Sequence, residues 1–453
     1  MSLMSRLKEQ EMVTRENKPS QLPNEITGKF QEPVFAIHRE VIKEIGVDLS
    51  AGQNLEQTGK IEQEVRQVAE SYLEKQNRFF TKADREEIIR QVMDEVIGYG
   101  PITPLLKDET VSEVMVNGPY QIFVERRGKL ELTPVTFRNN EHLYNIIERI
   151  IAPLGRRIDE SVPMVDGRLP DGSRVNAIIP PLALNGCILT IRKFSSQLLK
   201  IEDLIRNGTL TLPMAKFLEG CVKGRLNIVV SGGTGAGKTS TLNIISAFIP
   251  PDERIVTIED SAELDLNQEH VISLETRPAN IEQRGEITIR DLVRNSLRMR
   301  PDRLVVGEVR GGEALDMLQA MNTGHDGSLT TGHSNSPRDM ISRLETMVLM
   351  AGIEFPIRAI REQISSAIDL IVHQSRLQDG SRKITHITEV LGMEGDIITL
   401  QDVFIFDKKG IDERGRVKGF HRATGLKPHC LDKLIAMGIH IPDEYFRPEK
   451  GDF

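Results

Sequence analysis

The chain has 453 residues, 39% hydrophobic and 27% charged, an ordinary globular composition with room for one to three domains. A net charge of −8, only 4% aromatic residues and no tryptophan argue against a broad nucleic-acid or anionic-lipid footprint and leave little for base stacking. Cys187, Cys221 and Cys430 form no zinc or disulfide pattern, the N-terminus lacks an apolar signal core, and no apolar run approaches the roughly 18 residues that cross a bilayer, so a soluble cytoplasmic protein is expected.

Residues 1–33 are polar and broken by Pro19, Pro23 and Pro33, which predicts a disordered arm. Residues 34–100 read as helical: Ile61, Val65, Val68, Tyr72 and Leu73 recur at helical spacing, and Thr81 with Asp84 predicts the N-cap of KADREEIIRQVMDEVI. Residues 101–196 alternate strand-like runs (SEVMVNG, QIFVERRGKLELTPVTF, RVNAIIPP, CILTIRKF) with the amphipathic helix HLYNIIERIIAPL, an α+β domain with a hairpin at Arg127-Gly128-Lys129. Residues 197–212 read as a linker with a short helix. From 213 to 453 the strands NIVVSG, RIVTIED and RLVVGEV alternate with helices, as a parallel sheet requires, before a mixed C-terminal subdomain.

Ser231 to Thr239 read SGGTGAGKT between the apolar run LNIVV and the helical TLNIISAFI, the setting of a phosphate-cradling loop. Gly232, Gly233, Gly235 and Gly237 permit positive φ, so the backbone from Gly232 through Thr234 and Ala236 to Gly237 can turn its N–H groups onto an anion at a helix N-terminus. Lys238 can reach β- and γ-phosphates, Thr239 offers a hydroxyl to Mg²⁺, and Ser240 stands at the level of the α-phosphate. These residues predict ATP as substrate with Mg²⁺. Glu259, Asp260 and Glu263 in RIVTIEDSAEL, and Glu308 in RPDRLVVGEVRGGEA, follow apolar strands. Ligands of an open α/β sheet gather at the carboxyl ends of strands, so Glu259 and Glu308 are expected beside the phosphates, orienting water or holding Mg²⁺ through water. The second motif of such sites usually ends its strand with Asp, but Gly307 stands there, and Thr239 plus waters can complete the Mg²⁺ shell. His333, and with it His325, sits in a Gly/Ser/Thr-rich stretch where an imidazole can sense a γ-phosphate or cap a turn. Arg174 and Arg192 lie on strands, where spacing alone reads as solvated.

TIEDSAEL resembles the aspartate box, SLRMRPDRLVVGEVRGGEA the Walker B segment and GHDGSLTTGHSNSP the histidine box of the type II/IV secretion and pilus-motor ATPases. MVDGRLPDGSRVNAIIPPLALNGCILTIRKF and ATGLKPHCLDKLIAMG are most similar to the tight-adherence (Tad) branch, the CpaF-type pilus motors. The resemblance implies a RecA-like P-loop NTPase domain preceded by a PAS-like α+β domain and the N-terminal helical region. It also implies a homohexameric ring with ATP between the domains, and Arg174 and Arg192 near the phosphates. Such a motor docks on inner-membrane platform proteins at the cytoplasmic face, associates with the membrane only through partners, binds no nucleic acid directly, and powers pilus assembly and retraction. A conjugation-type ATPase exporting DNA or protein is the alternative. The four-cysteine zinc module of many type II secretion ATPases has no counterpart, since only Cys430 follows the nucleotide site. The helical region before residue 100 favours the Tad branch.

Overall fold

The computed structural model describes residues 30–45, 55–76, 79–126, 128–194, 199–279 and 284–448. The disordered arm expected at 1–29 and the turn residue Arg127 lie outside them. Residues 31–33, expected in that arm, instead form the first turn of a helix, where Val34 N–H donates to Phe30 O at 3.0 Å. The chain divides into two units, residues 1–196 and 197–453.

The first unit begins with α1 (Gln31–Ile45), α2 (Leu55–Lys75) and α3 (Lys82–Val96). Each buries one stripe at three- and four-residue spacing, Val34, Ile37 and Val41 against Val65, Ala69, Leu73, Ile88 and Val92. A capping box starts α3: Asp84 N–H donates to the Thr81 hydroxyl, and Thr81 N–H to the Asp84 carboxylate, both at 3.1 Å. After α4 (Thr103–Lys107) comes a six-stranded antiparallel sheet of order β3-β2-β1-β6-β5-β4. Its strands are β1 (Val111–Asn117), β2 (Ile122–Arg126), β3 (Lys129–Leu132), β4 (Met164–Arg168), β5 (Arg174–Ile178) and β6 (Ile188–Arg192). Helix α5 (Asn140–Ile151) packs Leu143, Ile146, Ile147 and Ile150 onto Val114, Val124, Val175 and Ile191. The helical layer and the sheet layer are joined: His142 Nε2 lies 2.9 Å from Glu95 Oε2, and Arg149 Nη1 donates to Glu95 O and Gly98 O. Strand β4 was not legible, because MVDGR buries a single apolar side chain, Val165.

The second unit starts earlier than expected. In the stretch read as a linker, α6 (Ile201–Arg206) sends Leu204, and the following turn sends Leu210, into the same core as α7 (Leu212–Lys223). Its sheet has nine strands in the order β15-β14-β13-β12-β7-β11-β10-β8-β9. β7 (Ile228–Gly232), β8 (Ile255–Glu259), β9 (Val271–Glu275), β10 (Arg303–Val306), β11 (Leu329–His333) and β12 (Leu370–Arg376) run parallel. β13 (Arg382–Glu394), β14 (Ile397–Ile411) and β15 (Val417–Ala423) extend it antiparallel. The sheet is therefore mixed: short turns join the last strands, leaving no chain for the crossovers that parallel pairing needs. One face carries α7 and α8 (Lys238–Ser246). The other carries α9 (Ile289–Ser296), α10 (Glu313–Asn322), α11 (Pro337–Leu349) and α12 (Ile357–Ala367), and α13 (Cys430–Ala436) closes the first core.

Candidate functional site: the phosphate loop and its neighbours

β7 is buried at every position and releases the chain at Gly232; α8 begins at Lys238, and the loop lies between them. Gly232, Gly235 and Gly237 have φ of 154°, 70° and 96°, whereas Gly233, expected with them, does not enter that region. Gly232 is fixed by packing as well: a Cβ there would stand 2.1 Å from the Gln374 carbonyl oxygen of β12. Lys238 Nζ donates to Gly233 O at 3.1 Å and lies 3.3 Å and 3.4 Å from the two ring nitrogens of His333.

Parallel pairing of β7, β11, β10 and β8 delivers the remaining residues to one edge. His333 is in register with Gly232. Glu308 follows β10, with Oε1 2.9 Å from His333 Nε2 and Oε2 accepting from Arg310 Nη2 at 2.6 Å. Arg310 also stands 3.6 Å from Asp260. Burial, and then the Lys238 cation, push the His333 imidazole below its ordinary pKa of 6.5, although Glu308 pulls the other way. Lys238, His333 and Glu308 thus form one contiguous group.

Glu259 ends β8 and is buried, but its surroundings differ from the metal role expected of it. Its Oε1 accepts from Glu263 N–H at 3.0 Å, and both oxygens accept from Leu264 N–H at 3.2 Å, so the carboxylate braces the loop after its strand. The same carboxylate explains Gly307, where a Cβ would lie 2.8 Å from Glu259 Cγ. The Asp usual at that point has no room. His325 is not part of the group. It precedes Leu329 at the opposite end of β11, a strand length of about 13 Å from His333.

Sequence reasoning missed Arg310, Gln374, Arg376 and Arg382. Arg310 lies two residues beyond Glu308 and was open to view. Gln374 and Arg376 reach the loop through β12, a strand hidden in DLIVHQSR behind a helix, and Arg382 through the start of β13. Gln374 is in register with Gly232, and its Oε1 accepts from the Thr241 hydroxyl of α8 at 2.6 Å.

In the first unit, Arg174 and Arg192 are register partners on β5 and β6, and Arg168 and Glu113 continue the same rung across β4 and β1. Val175 and Ile191, one residue away on each strand, face the core. The two arginines therefore share the sheet face opposite α5.

Among the described residues, no group of three or more His, Cys, Asp or Glu side chains could hold a metal ion. Mg²⁺ carried on a nucleotide takes few protein ligands and keeps its waters, and the Thr239 hydroxyl in the first turn of α8 would be a suitable donor to it. No helix among the described residues is long and apolar enough to cross a membrane.

Residues 95–424 match the family of type II/IV secretion system proteins. The chain belongs to this ATPase family. It is a P-loop enzyme that binds nucleotide and hydrolyses ATP. The conjugal transfer protein TrbB of Rhizobium radiobacter is 35% identical over 299 residues, 64% of this chain and 86% of TrbB. The type IV secretion protein VirB11 of Brucella suis is 33% identical over 318 residues, 64% of this chain and 88% of VirB11. The crystal structure of the VirB11 ATPase from Brucella suis aligns at 30% identity over 63% of this chain and 94% of that one, with a TM-score of 0.35.

Proposed function

We propose that this chain is the motor ATPase of a conjugation-type secretion machine, converting ATP hydrolysis into export of DNA or protein. One observation carries this reading: the relatives named for conjugal transfer and type IV secretion match over 86% and 88% of their own length. The site supports a hydrolase in general. The loop N–H groups from Gly232 to Gly237 and the Lys238 ammonium hold the β- and γ-phosphates, with Ser240 at the α-phosphate. When bound, Mg²⁺ neutralises phosphate charge, and Thr239 is the residue that holds it. Glu308, oriented by Arg310 and His333, takes the attacking water. Neutral His333 reports on the γ-phosphate through a hydrogen bond. Glu259 secures the wall beside Gly307. The motor works as a homohexamer docked on membrane platform proteins at the cytoplasmic face of the inner membrane.

A second reading, a Tad pilus motor, is favoured by α1, α2 and nearly all of α3, which precede the matched span beginning at residue 95. A deletion strain separates the two. Loss of conjugative transfer with surface pili intact supports the first reading; loss of pili with transfer intact replaces it with the second. For the chemistry, Glu308→Gln is expected to lower kcat by about a hundredfold or more while ATP still binds. Hydrolysis at the wild-type rate would remove Glu308 from catalysis.

A further inference from the structure

The strand order β12-β7-β11-β10 leaves the phosphate loop with two flanks. On one stand His333 and Glu308. On the other, β12 ends and β13 begins, and there two arginines meet the loop. Arg382 Nε donates to Gly235 O at 3.1 Å, and its Cδ lies 3.1 Å from where a Cβ of Gly237 would be. Arg376 Nη1 lies 3.5 Å from the corresponding position of Gly235.

Arg376 and Arg382 are also direct register partners across the β12–β13 hairpin. The turn between them is held firmly. Leu377 N–H donates to Ser381 O at 2.7 Å, and Asp379 accepts from the Ser381 hydroxyl at 2.6 Å and from Val417 N–H at 2.8 Å. Those bonds, the Ser381 hydroxyl first, lower the Asp379 carboxyl to about 2, so the staple stays charged at any physiological pH. A stiff hairpin thus holds both arginines against the rim of the phosphate loop, where a guanidinium can meet a phosphate.

We propose that Arg376 and Arg382 are nucleotide-binding residues that hold the α-phosphate of the bound nucleoside di- or triphosphate. A nucleotide whose γ-phosphate faces Glu308 and His333 has its α-phosphate and ribose toward the opposite flank of the loop. The two arginines contribute to ground-state binding, alike for ADP and ATP, because the α-phosphate does not change during hydrolysis. This inference rests on ATP hydrolysis at the loop and is independent of which machine the motor serves.

The test uses the full-length protein with Arg376→Ala, Arg382→Ala and Arg382→Lys. ADP affinity is measured by calorimetry, kcat and KM with ATP, and folding by thermal melting. Each alanine variant is expected to raise the Kd for ADP and the KM for ATP by about tenfold or more, with kcat at saturation within about twofold, since losing a hydrogen bond to a charged group removes that much affinity. Arg382→Lys is expected to fall between, keeping the charge but losing the fork. Raising the ionic strength is expected to weaken ADP binding more in the wild type than in the variants. ADP affinity within about twofold of wild type in both alanine variants overturns the proposal. So does a fall in kcat with ADP affinity unchanged, which would assign the pair to the chemical step or to loop shape. If Arg382→Ala lowers the melting temperature, Arg376→Ala decides. Glu308→Gln measured beside them keeps the catalytic assignment separate, because ADP binding does not depend on it.

Discussion

His333 stands between the ammonium that meets the phosphates and the carboxylate assigned to the water, and its protonation state decides what it can do there. Burial and Lys238 keep it neutral to lower pH than a free imidazole. Turnover is therefore expected to stay level as pH falls through 6.5 and to decline only below it, as His333 gains a proton and locks onto Glu308. A kcat profile whose acid limb lies at or above 6.5 would contradict this. Gly307 supports a second expectation. Restoring the usual carboxylate with Gly307→Asp forces a side chain against Glu259 and is expected to cost about 1–3 kcal/mol without raising activity, read by urea titration and ATP turnover. Residues of this kind were legible in proportion to how local their signal was. Lys238, Thr239 and Glu308 follow from contiguous motifs. Arg382 touches a loop residue 147 positions earlier, which no spacing rule reaches.

At the level of elements, β10 is held by an ion pair that the Walker B-like segment carries inside the fold. Arg303, fully buried at the start of the strand, bonds Glu253, and donates to Val222 O at 2.9 Å and Gly327 O at 3.1 Å; Arg225 approaches the same carboxylate at 3.2 Å. Removing Arg303 leaves the Val222 and Gly327 carbonyls unpaired and Glu253 with Arg225 alone, so Arg303→Ala is expected to destabilise the second unit by about 3–5 kcal/mol, and pairing it with Glu253→Gln to recover part of the loss, both by chemical denaturation. Helices announced themselves in the sequence through caps and stripes, as Thr81–Asp84 shows. Strands did so where both faces are apolar, as in β7, β8 and β10, or where apolar and polar residues alternate, as in β1, β5 and β6. β4 is too polar and β12 too nearly continuous with α12 to stand out.

Across the second unit as a whole, two buried imidazoles set its response to acid. Burial, with His386 beside one and Lys383 beside the other, lowers His373 and His421 from 6.5 to about 4. Between those values the unfolded chain binds protons that the folded unit refuses. The stability these two groups contribute is complete above pH 6.5 and is lost as pH falls toward about 4, which melting temperatures across that window will show. His373 lies 2.9 Å from the Ser231 hydroxyl of β7, so acid strikes at the strand that carries the loop. That strand is enclosed by β11 and β12 and exposes none of its five residues. Its amide protons can exchange with solvent only when the unit opens globally, and a ligand on the loop is linked to that same opening. ADP at a hundred times its Kd should protect the enclosed strands by about 2.7 kcal/mol, making hydrogen exchange at β8, buried along its whole length and three strands from β7, a gauge of occupancy at the loop.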